Sequence, residues 1–183
     1  MAYFQAVCAG EFSLFFELPT WEAIVLQGTL TEPALHHAAL AIGALARRRY
    51  HPDRRHKTSP ATTAFAIQQY SRAIQGLYGR LDETAQSLEV AVVASVVFSY
   101  IEFLLGLDSR IEVHVKAGCA MLENLRPGLD RSQPATSITE AGRNSEFGSL
   151  FTRYDLLANA MFQLTAQVNL PGSSVGQQQF IER

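Results

Sequence analysis

The stretch from Leu88 to Leu107, LEVAVVASVVFSYIEFLLGL, limits the fold of this chain more than any other segment. As a helix it is apolar on almost every side, so it needs neighbours on almost every side. It is long enough to cross a bilayer. Yet it carries Glu89 and Glu102, and Ser95, Ser99 and Glu102 recur at i, i+4 and i+7 as a narrow polar stripe. A carboxylate in the hydrocarbon core is costly. The segment therefore reads as the central buried helix of a soluble bundle, from about Ser87 to Leu105, stopped by Gly106. Glu102 then needs a basic group or a backbone N–H as partner, because an unpaired carboxylate on a buried helix is expensive.

The other segments are one-sided and fit around such a centre. From Trp21 to Leu45 the sequence predicts a short helix, a tight stop and a longer helix. Thr20 is the first N-cap and Gly28 the stop. Thr31 caps the second helix, with Glu32 at its positive end and Pro33 in its first turn. At 100° per residue Leu35, Ala38, Ala39, Ile42, Leu45 and Ala46 share one side, a face of small residues that lets another helix come close. Before this hairpin, residues 2–16 supply Tyr3, Phe4, Val7, Phe12, Phe15 and Phe16 on a helix broken near Gly10 and ended by Leu18-Pro19.

After it, Ser59 caps and Pro60 opens a helix to about Leu81. Its apolar arc is Ala66, Ile67, Tyr70, Ala73, Ile74, Leu77, Tyr78 and Leu81, and Gln68, Gln69, Ser71, Arg72, Gln75 and Arg80 share the other side. Asp108 caps a helix to about Leu125. Its inner arc holds Ile111, Val115, Gly118, Met121, Leu122 and Leu125, with His114 on the apolar side and Glu112, Lys116 and Glu123 facing water. Residues 126–145 are rich in Pro, Gly, Ser and Thr and read as a flexible internal loop. Glu146 to about Leu170 is the last helix, with Leu150, Phe151, Tyr154, Leu157, Ala158, Met161, Phe162, Leu164 and Val168 on its inner side. No β alternation is convincing. The expected fold class is all-α: an irregular bundle or array of antiparallel helical hairpins, about six to seven helices, with residues 1–183 as a single domain.

The chemistry-bearing residues are few. The net charge of −2 gives no global attraction to nucleic acid or to an anionic membrane. Two cysteines, Cys8 and Cys119, are too few for a disulfide framework or a cysteine-based zinc site, and a reducing compartment is expected. No signal peptide is visible at the N-terminus. Six of the chain's 15 lysine and arginine residues lie between Arg47 and Lys57. They read as a cationic helix end followed by a solvated loop, or as a nuclear import signal or a local nucleic-acid contact. Glu32 and His36 have helical i, i+4 spacing but lack the further ligand a metal would need. His36 is expected to be partly buried and His37 solvated. There is no glycine-rich phosphate loop, nucleophile elbow or paired-carboxylate motif. The sequence assigns no catalytic, cofactor-binding or metal residue and predicts a non-enzyme that needs no cofactor.

A set of degenerate motifs, in order, carries a family resemblance. Tyr3-Phe4-Gln5, Ser13-Leu14-Phe15-Phe16 and Trp21 open it. Leu26-Gln27, Glu32-Pro33-Ala34-Leu35, His37-Ala38 and Leu40-Ala41-Ile42-Gly43-Ala44-Leu45 form its most specific part. Gln69-Tyr70 with Ala73-Ile74, Phe98 with Glu102-Phe103-Leu104 and Gly106, His114-Val115 with Gly118, and Arg153-Tyr154-Asp155 complete it. In these residues the chain resembles the regulatory region of fungal binuclear zinc-cluster transcription regulators. The resemblance implies an all-α regulatory domain, a nuclear setting with the cytoplasm as alternative, and a role in transcription control of metabolic or secondary-metabolite gene clusters. It implies protein partners, such as transcription machinery or a related full-length regulator, and a small effector. The six-cysteine DNA-binding module of such regulators is absent from these residues, so neither zinc binding nor sequence-specific DNA binding is expected. The chain is also expected to stop before such regions usually end. The alternative is a small-molecule-binding protein or helical enzyme of secondary metabolism that reuses the scaffold.

Overall fold

A computed structural model describes residues 1–50, 60–80, 85–130 and 144–169. A π-helical stretch, Phe4–Cys8, runs without a break into α1 (Ala9–Phe15). Then follow α2 (Thr20–Thr31), α3 (Pro33–Tyr50), α4 (Pro60–Tyr78), α5 (Ala85–Leu105), α6 (Asp108–Asp130) and α7 (Asn144–Val168). The described residues contain no strand, and the fold is all-α.

α5 is the centre. Every residue from Ala91 to Phe103 is buried. α3, α6, α7 and α4 all pack on it. By length and composition it is able to cross a membrane, but 72% of its most apolar window is buried inside the protein. Burying side chains such as Val92, Val97 and Ile101 contributes about 1.5–3 kcal/mol each. The polar stripe is absorbed locally. The Ser95 hydroxyl donates to the Val92 carbonyl (2.7 Å) and the Ser99 hydroxyl to the Ser95 carbonyl (2.8 Å).

α3 presents the small-residue face that the sequence predicts: Leu35, Ala38, Ala39, Ile42, Leu45 and Ala46 are all buried. Ala34 and Ala41 are buried too. The face is therefore wide enough to take α4 and α5 at once. The N-terminal aromatics close one end. Phe16 lies against Trp21 (ring centroids 4.7 Å apart), and Phe12 meets Tyr100 of α5 edge-on at 5.3 Å.

Several sequence expectations are corrected. The first helix is not broken at Gly10. Thr20 lies inside α2, and no side chain caps that helix. Gly28 does not end α2, which continues to Thr31. Gly28 serves close packing instead: a Cβ there would lie 2.6 Å from Leu35 Cδ1. Thr31 does not cap α3, because its hydroxyl donates back to the Gln27 carbonyl at 3.2 Å. Glu32, in extended backbone, is the hinge residue between α2 and α3, and its carbonyl accepts from His36 N–H at 2.9 Å.

On α4 the buried set is Ala66, Gln69, Tyr70 and Ala73, whereas Ile67, Ile74 and Tyr78 are exposed. The helix is rotated from its apolar arc, and the buried Gln69 has a polar partner inside, described below. On α7 Ala160 is buried and Phe162 is 75% exposed. α6 extends through residues 126–130, read from sequence as loop, and α7 takes up 144 and 145. The rest of that loop, the basic stretch beyond Tyr50, Ser59, Leu81 and the C-terminal tail lie outside the described residues.

Candidate functional site

The turn after α5 builds the most polar part of the interior. Gly106 has φ of +72°, a conformation glycine adopts without penalty. Leu107 N–H then reaches back to the Glu102 carbonyl (2.9 Å) and Gly106 N–H to the Phe103 carbonyl (3.1 Å). This pair of bonds is a Schellman closure. It places the last turn of α5 beside the first turns of α6. Glu102 consequently faces Arg110 and His114, which are one helical turn apart on α6. Tyr70 arrives from α4.

Glu102 is 1% exposed. Its Oε1 accepts from the Tyr70 hydroxyl at 2.8 Å, with Arg110 Nη1 at 3.9 Å and His114 Nε2 at 3.6 Å. Its Oε2 is buried with no hydrogen-bond partner among the described residues. The Tyr70 hydroxyl also lies 2.7 Å from His114 Nε2. The hydroxyl has one proton, and the carboxylate can only accept. Tyr70 therefore donates to Glu102, and the His114 Nε2–H donates to Tyr70. Phe98 caps the cluster, edge-on to Tyr70 (5.3 Å) and to His114 (5.6 Å).

The electrostatics follow from this arrangement. Burial, and then the hydrogen bond to Glu102, push the Tyr70 hydroxyl far above its ordinary range, so it stays protonated. Burial is the largest influence on His114 and holds it below its ordinary value of 6.5. Glu102 acts in the opposite direction, and Arg110 adds to the lowering. The cluster is thus one carboxylate, one guanidinium and two neutral donors. Its donors and acceptors face one another.

The remaining sequence candidates are engaged separately. Glu32 pairs with Arg80 at 3.0 Å, which ties the α2–α3 corner to the end of α4. His36 Nδ1 lies 3.3 Å from the Thr29 carbonyl. His37 is not solvated as expected: it is half-buried, and its Nδ1 donates to Gln69 Oε1 at 2.8 Å. Glu32 and His36 are therefore turned to different partners. Among the described residues no group of three His, Cys, Asp or Glu side chains is placed to hold a metal. Arg47, the first of the basic cluster, lies over the Tyr3 ring, 4.9 Å from its centroid. The other five cations of the cluster lack described side chains.

The sequence marks Glu102 as a residue in need of a partner and places His114 on an apolar face, and the structure brings the two together. Tyr70 was not singled out. The available signal was a hydroxyl on the apolar arc of a helix, which must find a partner when buried.

The chain matches the family described as the fungal specific transcription factor domain over residues 1–180. No curated protein and no solved structure matches it. That family suggests a transcription-regulator-like role and is not enzymatic in general. The match spans the α3 seam, the central α5 and the Glu102 cluster alike, and the chain belongs to the fungal specific transcription factor domain family.

Proposed function

We propose that residues 1–183 form one non-enzymatic regulatory module that acts in the fungal nucleus. It modulates expression of a metabolic or secondary-metabolite gene cluster through protein partners or a small effector. The observation that carries this reading is the family match over residues 1–180. The polar interior supports it. Glu102, Tyr70 and His114 are turned toward one another, which suits an anchor between helices better than a reacting centre. With two cysteines, these residues hold no six-cysteine zinc module. Pairing with a related full-length regulator would make the module a modulator or an inhibitor of that regulator.

The test is affinity capture with the intact chain from fungal nuclear extract, with Glu102→Ala as the unfolding control. The reading expects a regulator of the same family or a component of the transcription machinery, enriched on the native chain and lost on the control. Recovery of no transcription-related partner counts against it.

A further inference from the structure

Two adjacent residues hold α4 to two different parts of the bundle, and both bonds end on a histidine. Gln69 is bonded to His37 of α3 at 2.8 Å. Tyr70 is bonded to His114 of α6 at 2.7 Å and to Glu102 of α5 at 2.8 Å.

These two anchors respond differently to an added proton. The Gln69 Oε1 can only accept, so His37 Nδ1 carries a hydrogen. A doubly protonated His37 donates the same bond. His114 already uses its Nε2–H on Tyr70, so a second proton goes to Nδ1 and makes the ring cationic. That ring is only 20% exposed, and the Arg110 guanidinium already stands beside the same carboxylate oxygen. The charged and titratable groups that face it are Tyr70 from α4, Glu102 from α5 and Arg110 from α6 itself. α7 meets α6 further along, with Met161 at Gly118 and Thr165 at Cys119. Among the described residues no α7 side chain bonds His114. An imidazolium here gains Glu102 but loses hydration and competes with Arg110, and the ring edge open to water offers the way out.

We propose that His114 is a proton-operated release for α4. On protonation the imidazolium turns toward water, the His114–Tyr70–Glu102 chain breaks, and α4 parts from α5 and α6 while Gln69 and His37 keep it on α3. The face uncovered holds Tyr70, next to the exposed Ile67 and Ile74, so an acidic shift enlarges the apolar surface of α4.

Hydrogen exchange of the intact chain tests it, compared at about pH 7.5 and about pH 5.5 after correction for intrinsic exchange, the window in which a histidine charges. The amides from Ala66 to Tyr78 are expected to lose protection by about tenfold at the lower pH, while the centre of α5 keeps its own. In His114→Gln and Tyr70→Phe the pH step is expected to vanish. Unchanged α4 protection in the native chain overturns the proposal. So does an equal loss in α4 and α5, or a step that survives in His114→Gln. The comparison within the native chain decides even where a variant does not fold.

Discussion

The Tyr70 hydroxyl and the Glu102 carboxylate meet at 2.8 Å, 32 positions apart in the chain, inside a bundle that buries both. The bond fixes α4 to the central helix, and His114 completes it from α6. A buried carboxylate is tolerated only with such partners, which makes each of them sensitive to deletion.

Tyr70→Phe removes one hydroxyl and leaves the carboxylate short of a donor. It is expected to lower stability by about 2–3 kcal/mol, and Glu102→Ala by about 3 kcal/mol or more, because the variant also loses packing. Arg110 is 65% exposed on its side chain, and Arg110→Ala is expected to cost less than about 1 kcal/mol. Urea unfolding midpoints give the ranking. An Arg110 variant as damaging as Tyr70→Phe would show that the ion pair, rather than the tyrosine, holds the cluster.

His114 makes stability depend on pH in a defined direction. Its folded-state value is lowered, so between that value and its ordinary value of 6.5 the unfolded chain binds more protons than the folded one. Stability therefore rises with pH through this window and is lost as pH falls from about 6.5. The native chain is expected to lose urea resistance on acidification faster than His114→Gln. Parallel curves for the two proteins would remove His114 from the account.

Two glycines are held by different constraints. At Gly106 any other residue must adopt φ of +72°, and Gly106→Ala is expected to cost about 1 kcal/mol. At Gly118 a Cβ would run into Ser95 Oγ and Met161 Sδ, where α5, α6 and α7 converge. Gly118→Val is expected to cost about 1–3 kcal/mol through overpacking. Thermal midpoints of the two variants test this, and a neutral Gly118→Val would mean that α6 can back away from α5. At the end of α1, Glu17 holds the same kind of closure with φ of +53° and no help from glycine, with Leu18 N–H reaching the Ser13 carbonyl at 3.0 Å.

The two cysteines are expected to react in order. Cys8 is fully buried, and burial above all, reinforced by Glu11, pushes its thiol up to about 12. Cys119 is half-buried beside Thr165. A thiol reagent at neutral pH is expected to titrate Cys119 in the native chain and Cys8 only after urea is added. Prompt reaction of both thiols would show that the N-terminal helix opens readily.

The sequence carried the parts of this fold that depend on one helix at a time. The uniform apolarity of α5 required a central position, the alanines of α3 required close neighbours, and Gly106 marked a turn. Glu102 announced a missing partner. Its partner on α4 was illegible because a helix wheel ranks Tyr70 with Ile67 and Ile74, and only the packed bundle separates them. The same limit hid Gln69. It is buried and bonded to His37, 32 positions away, while Ile74 and Tyr78 face outward. Gly28 and Thr31 misled for a related reason: both residue types suit helix ends, and here Leu35 and the Gln27 carbonyl claim them inside α2.

The central proposal is that this helical bundle acts in transcription regulation. The most direct measurement tethers the whole chain to a heterologous DNA-binding domain in a fungal host and reads a reporter gene beneath the matching operator. The account expects reporter output to shift by several-fold in either direction, and Glu102→Ala, which removes the interior anchor, to abolish the shift. A folded, nuclear fusion that leaves the reporter unchanged would contradict it.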